Sequence, residues 1–472
     1  MTTRESPAPR PNHRWLRRGV LILIAAVAVA GGSHLAAPSS PAELAGAATA
    51  PDIAAPGATS LDGATGSGAA GGLVPPAERV AFWERRVSAA GSSPSYLDLI
   101  YLADAYLDES RASGDLDDLK RAQTALGVAA GVTPDPKAVE GRQALVAFSL
   151  HEWQEALRIA NSLLAQDPQN LAALGVSGDA LLETGQVDAA RQRYATLEQL
   201  VPSPAVWSRL GRLAFLTGDP QSAIRLVSEA VSGAIEEGYP DAIAFYRFQL
   251  GELCRQIGQV DRASDNYEAA LTALPDYVPA TVGLARTREA QGRRAEAITI
   301  LERAVARLPQ PETVAMLGDL YSLDGNQDKA EQEYALVDGI AQLARATGSV
   351  YDRQLTIFDA DHDRDLPGAV ARAREELAVR GDVYGYDALA WALYKSGDIA
   401  GAAAAARQAL SLGTPDPRIA FHAGVIAAAQ GETDAARTLL TRAVAGSSML
   451  LPLQVPVAEA ALAQLEGGLA RP

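Results

Sequence analysis

Residues 250–275 read LGELCRQIGQVDRASDNYEAALTALP, and this stretch decides the fold. It contains two runs of apolar residues at helical spacing, separated by a turn that includes Gly258. Glycine can adopt the left-handed conformation that ends a first helix, and Ala263 is small enough for the second helix to approach closely. Pro275 then stops the second helix, because proline has no amide hydrogen. The stretch therefore predicts a helical hairpin.

The same residue types recur along the chain at a nearly constant spacing. Ten alanines are separated by 33 or 34 residues, apart from one spacing of 40 and one of 39. Seven glycines stand five residues before an alanine of this set, and prolines close several units. Two residue types in one register indicate about ten stacked hairpins, since one hairpin cannot bury its own apolar faces. The alanines are Ala122, Ala156, Ala190, Ala223, Ala263, Ala297, Ala330, Ala369, Ala402 and Ala436; the glycines are Gly185, Gly218, Gly258, Gly292, Gly325, Gly397 and Gly431; the prolines are Pro134, Pro168, Pro202, Pro275 and Pro309.

The period and the residue types resemble the tetratricopeptide repeat family. The best-matching units contain Trp207, Leu210, Gly211, Ala223 and Ala230; Leu250, Gly251, Ala263, Tyr267, Ala270 and Pro275; and Leu317, Gly318, Tyr321, Ala330 and Tyr334. The resemblance covers about residues 95–450. It implies an all-α, right-handed superhelical solenoid of about ten helix-turn-helix units over residues 77–450, with a C-terminal capping helix in 451–472.

Several units depart from the regular pattern. The first has extra residues near 108–117, expected between its helices. The two longer spacings each add about six residues, at 232–241 and near 338–348, which predicts second helices longer by nearly two turns. The unit over about 349–382 lacks its glycine and is interpreted as degenerate. Residues 457–469 have the amphipathic pattern of a last helix.

The first 30 residues have the features of an export signal. An arginine-rich segment precedes an apolar run over 20–30, which ends in the cleavage-type triplet Ala28-Val29-Ala30. The run reaches the length of a membrane span, about 20 residues, only by including 31–34, so cleavage and a retained N-terminal anchor both stay open. Either way the remainder is expected outside the cytoplasm, secreted or tethered. Residues 31–76, rich in Ala, Gly, Pro and Ser, are predicted to be a disordered linker.

Composition narrows the function classes. The formal net charge is −16, and the first 30 residues carry five arginines and one glutamate, so the rest of the chain carries about −20. Such a body repels phosphate backbones, and no nucleic-acid partner is expected. The single cysteine, Cys254, excludes an intrachain disulfide and a cysteine-based zinc site. Its place on a first helix predicts a small packed apolar group.

The array shows no motif for a cofactor or a reaction. It contains no Walker loop, no G-x-S-x-G elbow and no dinucleotide fingerprint. The alternating carboxylates of Asp359–Asp365 fail the calcium-loop pattern, which needs glycine at its sixth position and glutamate at its twelfth. We expect this cluster to cap the second helix of the degenerate unit, with no metal. Histidines 151, 362 and 422 are interpreted as structural, with His151 in the turn position that other units give to glycine.

The resemblance also implies where a partner would bind. In this family, positions two, five, nine and twelve of each first helix line a concave groove. Aromatic residues and arginine at these positions are typical of binding hot spots. We therefore predict a central binding set and a terminal one, although packing of these rings between units is an equal alternative. The sets are Arg212, Phe215, Phe245, Phe248, Arg255 and Arg286, and Tyr384, Trp391 and Tyr394.

The sequence favours a non-catalytic scaffold or adaptor that binds partner proteins or peptides in this groove. A self-assembling structural component of the cell envelope is the alternative from another class. A metal-dependent enzyme that uses Asp359–Asp365 is the least favoured reading. The sequence does not name a partner.

Overall fold

The computed structural model describes residues 74–347 and 352–467, where the chain forms α-helices joined by short turns and no strand. The predicted signal or anchor at 1–30 and nearly all of the predicted linker lie outside these residues. The first eleven helices are α1 (Pro76–Ala89), α2 (Tyr96–Ser113), α3 (Leu116–Val132), α4 (Pro136–Ser149), α5 (Trp153–Gln166), α6 (Leu171–Glu183), α7 (Val187–Leu200), α8 (Pro204–Leu216), α9 (Pro220–Glu237), α10 (Pro240–Gln256) and α11 (Val260–Ala273). The others are α12 (Val278–Ala290), α13 (Arg294–Arg307), α14 (Pro311–Leu323), α15 (Gln327–Thr347), α16 (Asp352–Asp361), α17 (Leu366–Val379), α18 (Val383–Lys395), α19 (Ile399–Ala409), α20 (Pro417–Ala429), α21 (Thr433–Ala445) and α22 (Gln454–Gly467).

Ten consecutive hairpins account for most of these helices. The first is α2 with α3 and the tenth is α20 with α21, while α1 packs on α2 and α22 packs on α21. All ten repeated alanines have no exposed surface, which confirms that they face a partner helix. All seven repeated glycines have a φ between 74° and 87°. Each closing proline stands two residues beyond the end of a second helix, so the turn signals were correctly predicted.

The irregular hairpins follow the sequence in part. Helices α9 and α15 have 18 and 21 residues, against 14 in α7, which confirms the lengthened second helices. The prediction of an insertion between α2 and α3 is wrong, because the extra residues extend α2 to 18 residues and leave a two-residue turn. His151 has a φ of 63° and takes the left-handed turn position, as expected. Helix α22 begins at Gln454, earlier than predicted, with Pro456 in its first turn.

The superhelix coils back on itself, so that hairpins three to five touch hairpins eight to ten. We call this contact the closure. Its hydrogen bonds join residues 193 to 198 positions apart, and the Thr414 hydroxyl donates to the Leu216 carbonyl oxygen at 2.6 Å. Apolar side chains from both sides pack beside these bonds. They are Leu182, Tyr194, Leu213 and Leu216 on one side and Val383, Tyr384, Ala409 and Ile419 on the other.

A buried carboxylate anchors the closure electrostatically. Glu183, at the end of α6, pairs with Arg212 of the next hairpin and with Arg380 from across the closure. Burial opposes ionisation of Glu183, but the charges of Arg212 and Arg380 outweigh burial and hold its pKa at about 2. Within the described ranges, no helix is both long enough and apolar enough to span a bilayer.

Candidate partner-binding cavity

A cavity lies inside the second half of the superhelix, between the first helices of four consecutive hairpins. Helices α14, α16, α18 and α20 form its walls, and the segment that follows α21 covers one side. It encloses about 650 Å³, part of it open to solvent. The lining residues are Glu312, Ala315, Asp319, Arg353, Gln354, Ile357, Phe358, Asp361, His362, Tyr384, Asp387, Ala388, Arg418, His422, Leu451 and Gln454.

His362 and Asp319 form an ion pair on one wall. Nε2 of His362 lies 2.8 Å from a carboxylate oxygen of Asp319, and Nδ1 lies 2.8 Å from the Phe358 carbonyl oxygen. Both partners offer oxygen acceptors, an arrangement that favours the ring with a proton on both nitrogens. Burial lowers the pKa of His362, but the hydrogen bond and the charge of Asp319 more than offset burial and raise it above its usual value. The carboxylate of Asp319 is therefore already paired with His362 of the same protein.

A second histidine belongs to a network that reaches the C-terminal helix. Nδ1 of His422 lies 3.0 Å from both oxygens of Asp387, and its Nε2 lies 3.3 Å from the amide nitrogen of Gln454. The same amide donates to both oxygens of Asp361 at 3.0 Å, and the indole N–H of Trp391 donates to Asp361 at 2.8 Å. The network joins hairpins eight, nine and ten to the first residue of α22.

Two arginines supply positive charge to the cavity. Arg353 is buried and binds Glu376 at 2.5 Å and Asp382 at 2.9 Å. Arg418, in the first turn of α20, has a longer contact of 3.4 Å with Asp416, which also accepts the backbone N–H of Arg418 at 2.9 Å. Together with Glu312, which pairs with Arg286, these contacts pair most of the charged lining side chains internally.

The chemistry of the cavity favours binding of an apolar group. Most of its charged side chains are already paired, and the apolar part of its walls consists of Ala315, Ile357, Phe358, Ala388 and Leu451. The Asp387–His422 pair has the form of a hydrogen-bonded base, but Nε2 of His422 faces Gln454. No serine, threonine or cysteine is present among the described residues that line the cavity, so this pair has no nucleophile to activate there.

The structure brings the predicted terminal set to this cavity. Tyr384 is buried and lines it, and Trp391 is buried beside it, with its ring stacked on His422 at a centroid distance of 4.4 Å. Tyr394 is half-buried, and its ring stacks on that of Trp391 at a centroid distance of 5.3 Å. The three residues are therefore close neighbours.

The predicted central set lies in the interior of the superhelix. Arg212 pairs with Glu183, Arg255 binds Glu252 at 2.7 Å, and Arg286 pairs with Glu312. Phe215 and Phe248 are buried, and Phe248 packs 6.0 Å from Tyr267 and 5.9 Å from Tyr277, while Phe245 is half-buried. These side chains form contacts within and between hairpins, and binding of a partner by either predicted set stays a prediction.

The carboxylates of Asp359–Asp365 have separate partners. Asp359 pairs with Arg372, Asp363 lies 2.8 Å from Lys395, and Asp365 accepts the Gly368 N–H at 3.1 Å at the start of α17. The predicted helix cap is therefore confirmed at Asp365. In residues 74–347 and 352–467, no three histidine, cysteine, aspartate or glutamate side chains are grouped to hold a metal ion. Cys254 is fully buried, as expected for a packed apolar group.

Two sequence models of one family match three parts of this array. Both are described as tetratricopeptide repeat; one matches residues 147–213 and 255–320, and the other matches residues 388–448. The chain is a tetratricopeptide repeat protein. No curated protein matches its sequence.

Several solved structures are similar in fold to parts of this chain. A tetratricopeptide repeat protein from Parabacteroides merdae shares 18% identity over 52% of this chain and 93% of its own, with a TM-score of 0.36. A Rap protein complexed with competence and sporulation factor shares 13% over 74% and 99%, with a TM-score of 0.46. The type IV pilus biogenesis factor PilW shares 20% over 46% and 97%, with a TM-score of 0.37.

The repeat register contains a signal for residues that the sequence prediction missed. Positions two, five and nine of the seventh tetratricopeptide unit are Glu312, Ala315 and Asp319, and position two of the tenth is Arg418. All four line the cavity, so applying the family positions to every unit would have found them. Gln454 lies outside the units, and no repeat position points to it.

Proposed function

We propose that this protein is a non-catalytic interaction scaffold that acts outside the cytoplasm and holds a segment of a partner protein in the cavity. The observation that carries the proposal is that four consecutive first helices turn their inner positions toward one enclosed space.

The chemistry of the cavity supports a peptide ligand. Ligand pockets in proteins commonly combine apolar walls with a few polar groups. Here the apolar walls would hold an aliphatic or aromatic side chain. Arg418, with its single long side-chain contact, is the polar group best able to take a new hydrogen-bond acceptor.

The side-chain arrangement supports binding without turnover. The histidines of the cavity are committed to Asp319 and to Asp387 with Gln454, and both sets of bonds hold helices together. Catalysis would require an activated nucleophile or a metal-bound water next to such a base. The proposal of a scaffold rests on this arrangement and on the family.

Export is proposed from the sequence of residues 1–30. Fusion of residues 1–76 to a phosphatase that is active only after export tests it. We expect activity with the native segment and loss of activity when the apolar run 20–30 is interrupted by two aspartates. Equal activity of the two fusions would contradict the proposal.

Partner binding is tested by affinity capture from envelope and culture fractions, with a matched pair of variants. Ala315→Arg places a long side chain in the cavity, whereas Leu336→Arg changes an exposed position on α15. We expect a partner that is captured by the native protein and by Leu336→Arg but not by Ala315→Arg, with all three equally folded. If only copies of the protein itself are captured, self-assembly becomes the better explanation.

A further inference from the structure

The segment that joins α21 to α22 crosses the inner face of the superhelix. Residues 446–454, which we call the strap, contain a short 3₁₀ helix at Ser447–Met449 and end at Gln454. The strap contacts α10 and α12 of the first superhelical turn and α20 of the second. It therefore bridges hairpins five and six to hairpin ten.

Hydrogen bonds hold the strap at its two ends. Near its start, the Ser448 hydroxyl donates to the Arg255 carbonyl oxygen at 3.2 Å, and the Arg255 guanidinium donates to the Ser448 carbonyl oxygen at 3.1 Å. At its end, the Gln454 amide donates to Asp361 at 3.0 Å and lies 3.3 Å from Nε2 of His422. The anchors belong to hairpins five, eight and ten.

The middle of the strap is apolar and faces inward. It reads Met-Leu-Leu-Pro-Leu over residues 449–453, although connecting segments usually run over the surface and are polar. Met449, Leu450 and Pro452 are buried, and Leu451 lines the cavity. An apolar stretch held by polar groups at both ends is also the way in which a short peptide binds a groove.

The local bonding of the strap is weaker than that of the helices on either side. Its backbone N–H groups at Met449, Leu450 and Gln454 donate within short turns, and the Leu451 N–H donates to the side chain of Gln454 at 3.1 Å. A segment with few backbone bonds opens at a lower free-energy cost than a helix. Its buried side chains and its two anchors therefore hold the strap more than its backbone bonds do.

We propose that the strap occupies the binding site of the partner and that the partner displaces it. This inference rests on the proposed function, and it specifies the partner segment. That segment is short, apolar and folded in turns, with a hydroxyl residue near one end and a side-chain amide near the other, as in residues 448–454. Its hydroxyl group donates a hydrogen bond to the carbonyl oxygen of Arg255, and its side-chain amide donates to the carboxylate of Asp361.

The test uses the full-length protein and a labelled peptide with the sequence of residues 446–455, GSSMLLPLQV. Gln454→Ala frees the end of the strap, whereas Val457→Ala changes an exposed position on the same helix. We expect the peptide to bind Gln454→Ala about tenfold more tightly than the native protein, the factor that corresponds to one hydrogen bond to a charged group. Val457→Ala should bind as the native protein does, and a peptide with its three leucines replaced by serine should not bind.

Hydrogen exchange keeps the test decisive if Gln454→Ala folds poorly. With excess peptide, the native protein should exchange the amides of residues 449–454 faster, while those of α21 stay unchanged. Exchange of the strap only together with α21, with or without peptide, would overturn the inference. If a partner is captured through the cavity and hydrogen exchange in the strap does not change, the displacement of the strap is contradicted. The scaffold proposal is left intact.

Discussion

At the scale of single residues, two glycines with the same backbone conformation have very different surroundings. Gly185 has a φ of 79°, and an added Cβ would lie 2.3 Å from the Gly381 carbonyl oxygen, across the closure. Gly292 has a φ of 74° and nothing within 4 Å of that position. Gly292→Ala should cost about 1–2 kcal/mol in free energy of unfolding from left-handed strain. Gly185→Ala should cost about 1–3 kcal/mol more, because the closure must also shift. Equal losses in urea unfolding would show that the closure is loose at this point.

The sequence predicts a residue's surroundings correctly where its contacts lie within the same helix or hairpin. Ala263 must be small because the helix that packs on it belongs to the same hairpin. Trp391 and Tyr394 stack because they lie three residues apart on α18. Burial of Arg212 has no such local signal, because its partner Glu183 is also bound by Arg380 from a hairpin far away in the sequence. Phe248, by contrast, packs on Tyr267 of its own hairpin and on Tyr277 at the start of the next.

At the scale of elements, α22 closes the open end of the last hairpin. Ala458 of this helix is fully buried, and Val455, Ala461 and Leu462 pack on the same apolar cluster as Leu440 of α21. A stop codon at Gln454 should therefore lower the melting temperature and promote association through the exposed end. A stop codon at 468 removes residues beyond α22 and serves as the control. Differential scanning calorimetry with light scattering makes the comparison; the prediction fails if both truncated proteins melt and scatter alike.

The ends of the helices could be predicted best from the sequence, because glycine and proline mark them directly. The error at α2 shows what a spacing argument leaves out. Gly114, with a φ of 80°, ends α2, and the Asp115 side chain accepts the Asp117 N–H to begin α3. Both signals are in the sequence, and with them the extra residues could have been assigned to the helix.

At the scale of the whole molecule, the closure is the feature that sequence reasoning could not reach. It depends on the small rotation between successive hairpins, summed over more than five of them, and no local pattern records that sum. Of the residues that line the cavity, only Tyr384 belongs to a binding set predicted from the sequence. Asp361, His422 and Gln454 meet only because hairpins eight and ten and the last helix are adjacent in space.

The closure makes a prediction about molecular dimensions. Arg380→Met removes the guanidinium that pairs with buried Glu183 across the closure. Loss of one partner of a buried pair should lower the free energy of unfolding by about 3 kcal/mol and loosen the superhelix, which raises the radius of gyration in small-angle X-ray scattering. Arg437→Met, which removes an ion pair with the exposed Asp434, should change neither quantity. An unchanged radius of gyration for Arg380→Met would show that the closure holds without this ion pair, through its apolar contacts.

The buried titratable groups of the molecule predict how its stability depends on pH. Burial, partly offset by the charges of Arg111 and Arg79, raises the pKa of Asp108 to about 6, and burial with neighbouring Asp115 raises that of Asp118 to about 6. Both groups bind a proton more readily in the folded chain than in the unfolded chain, so their contribution to stability should grow as the pH falls from 7.5 to 5. Buried His151 opposes this contribution below pH 6.5, because burial lowers its pKa to about 3. The pKa of Glu183 and that of Glu252 lie at about 2, below the unfolded value of 4.5, and their contribution should be lost as the pH drops from 4.5 to 2. In urea unfolding from pH 7.5 to 5, the native protein should gain stability relative to the double variant Asp108→Asn with Asp118→Asn. A constant difference between the two proteins over this range would contradict the raised pKa values of the two aspartates.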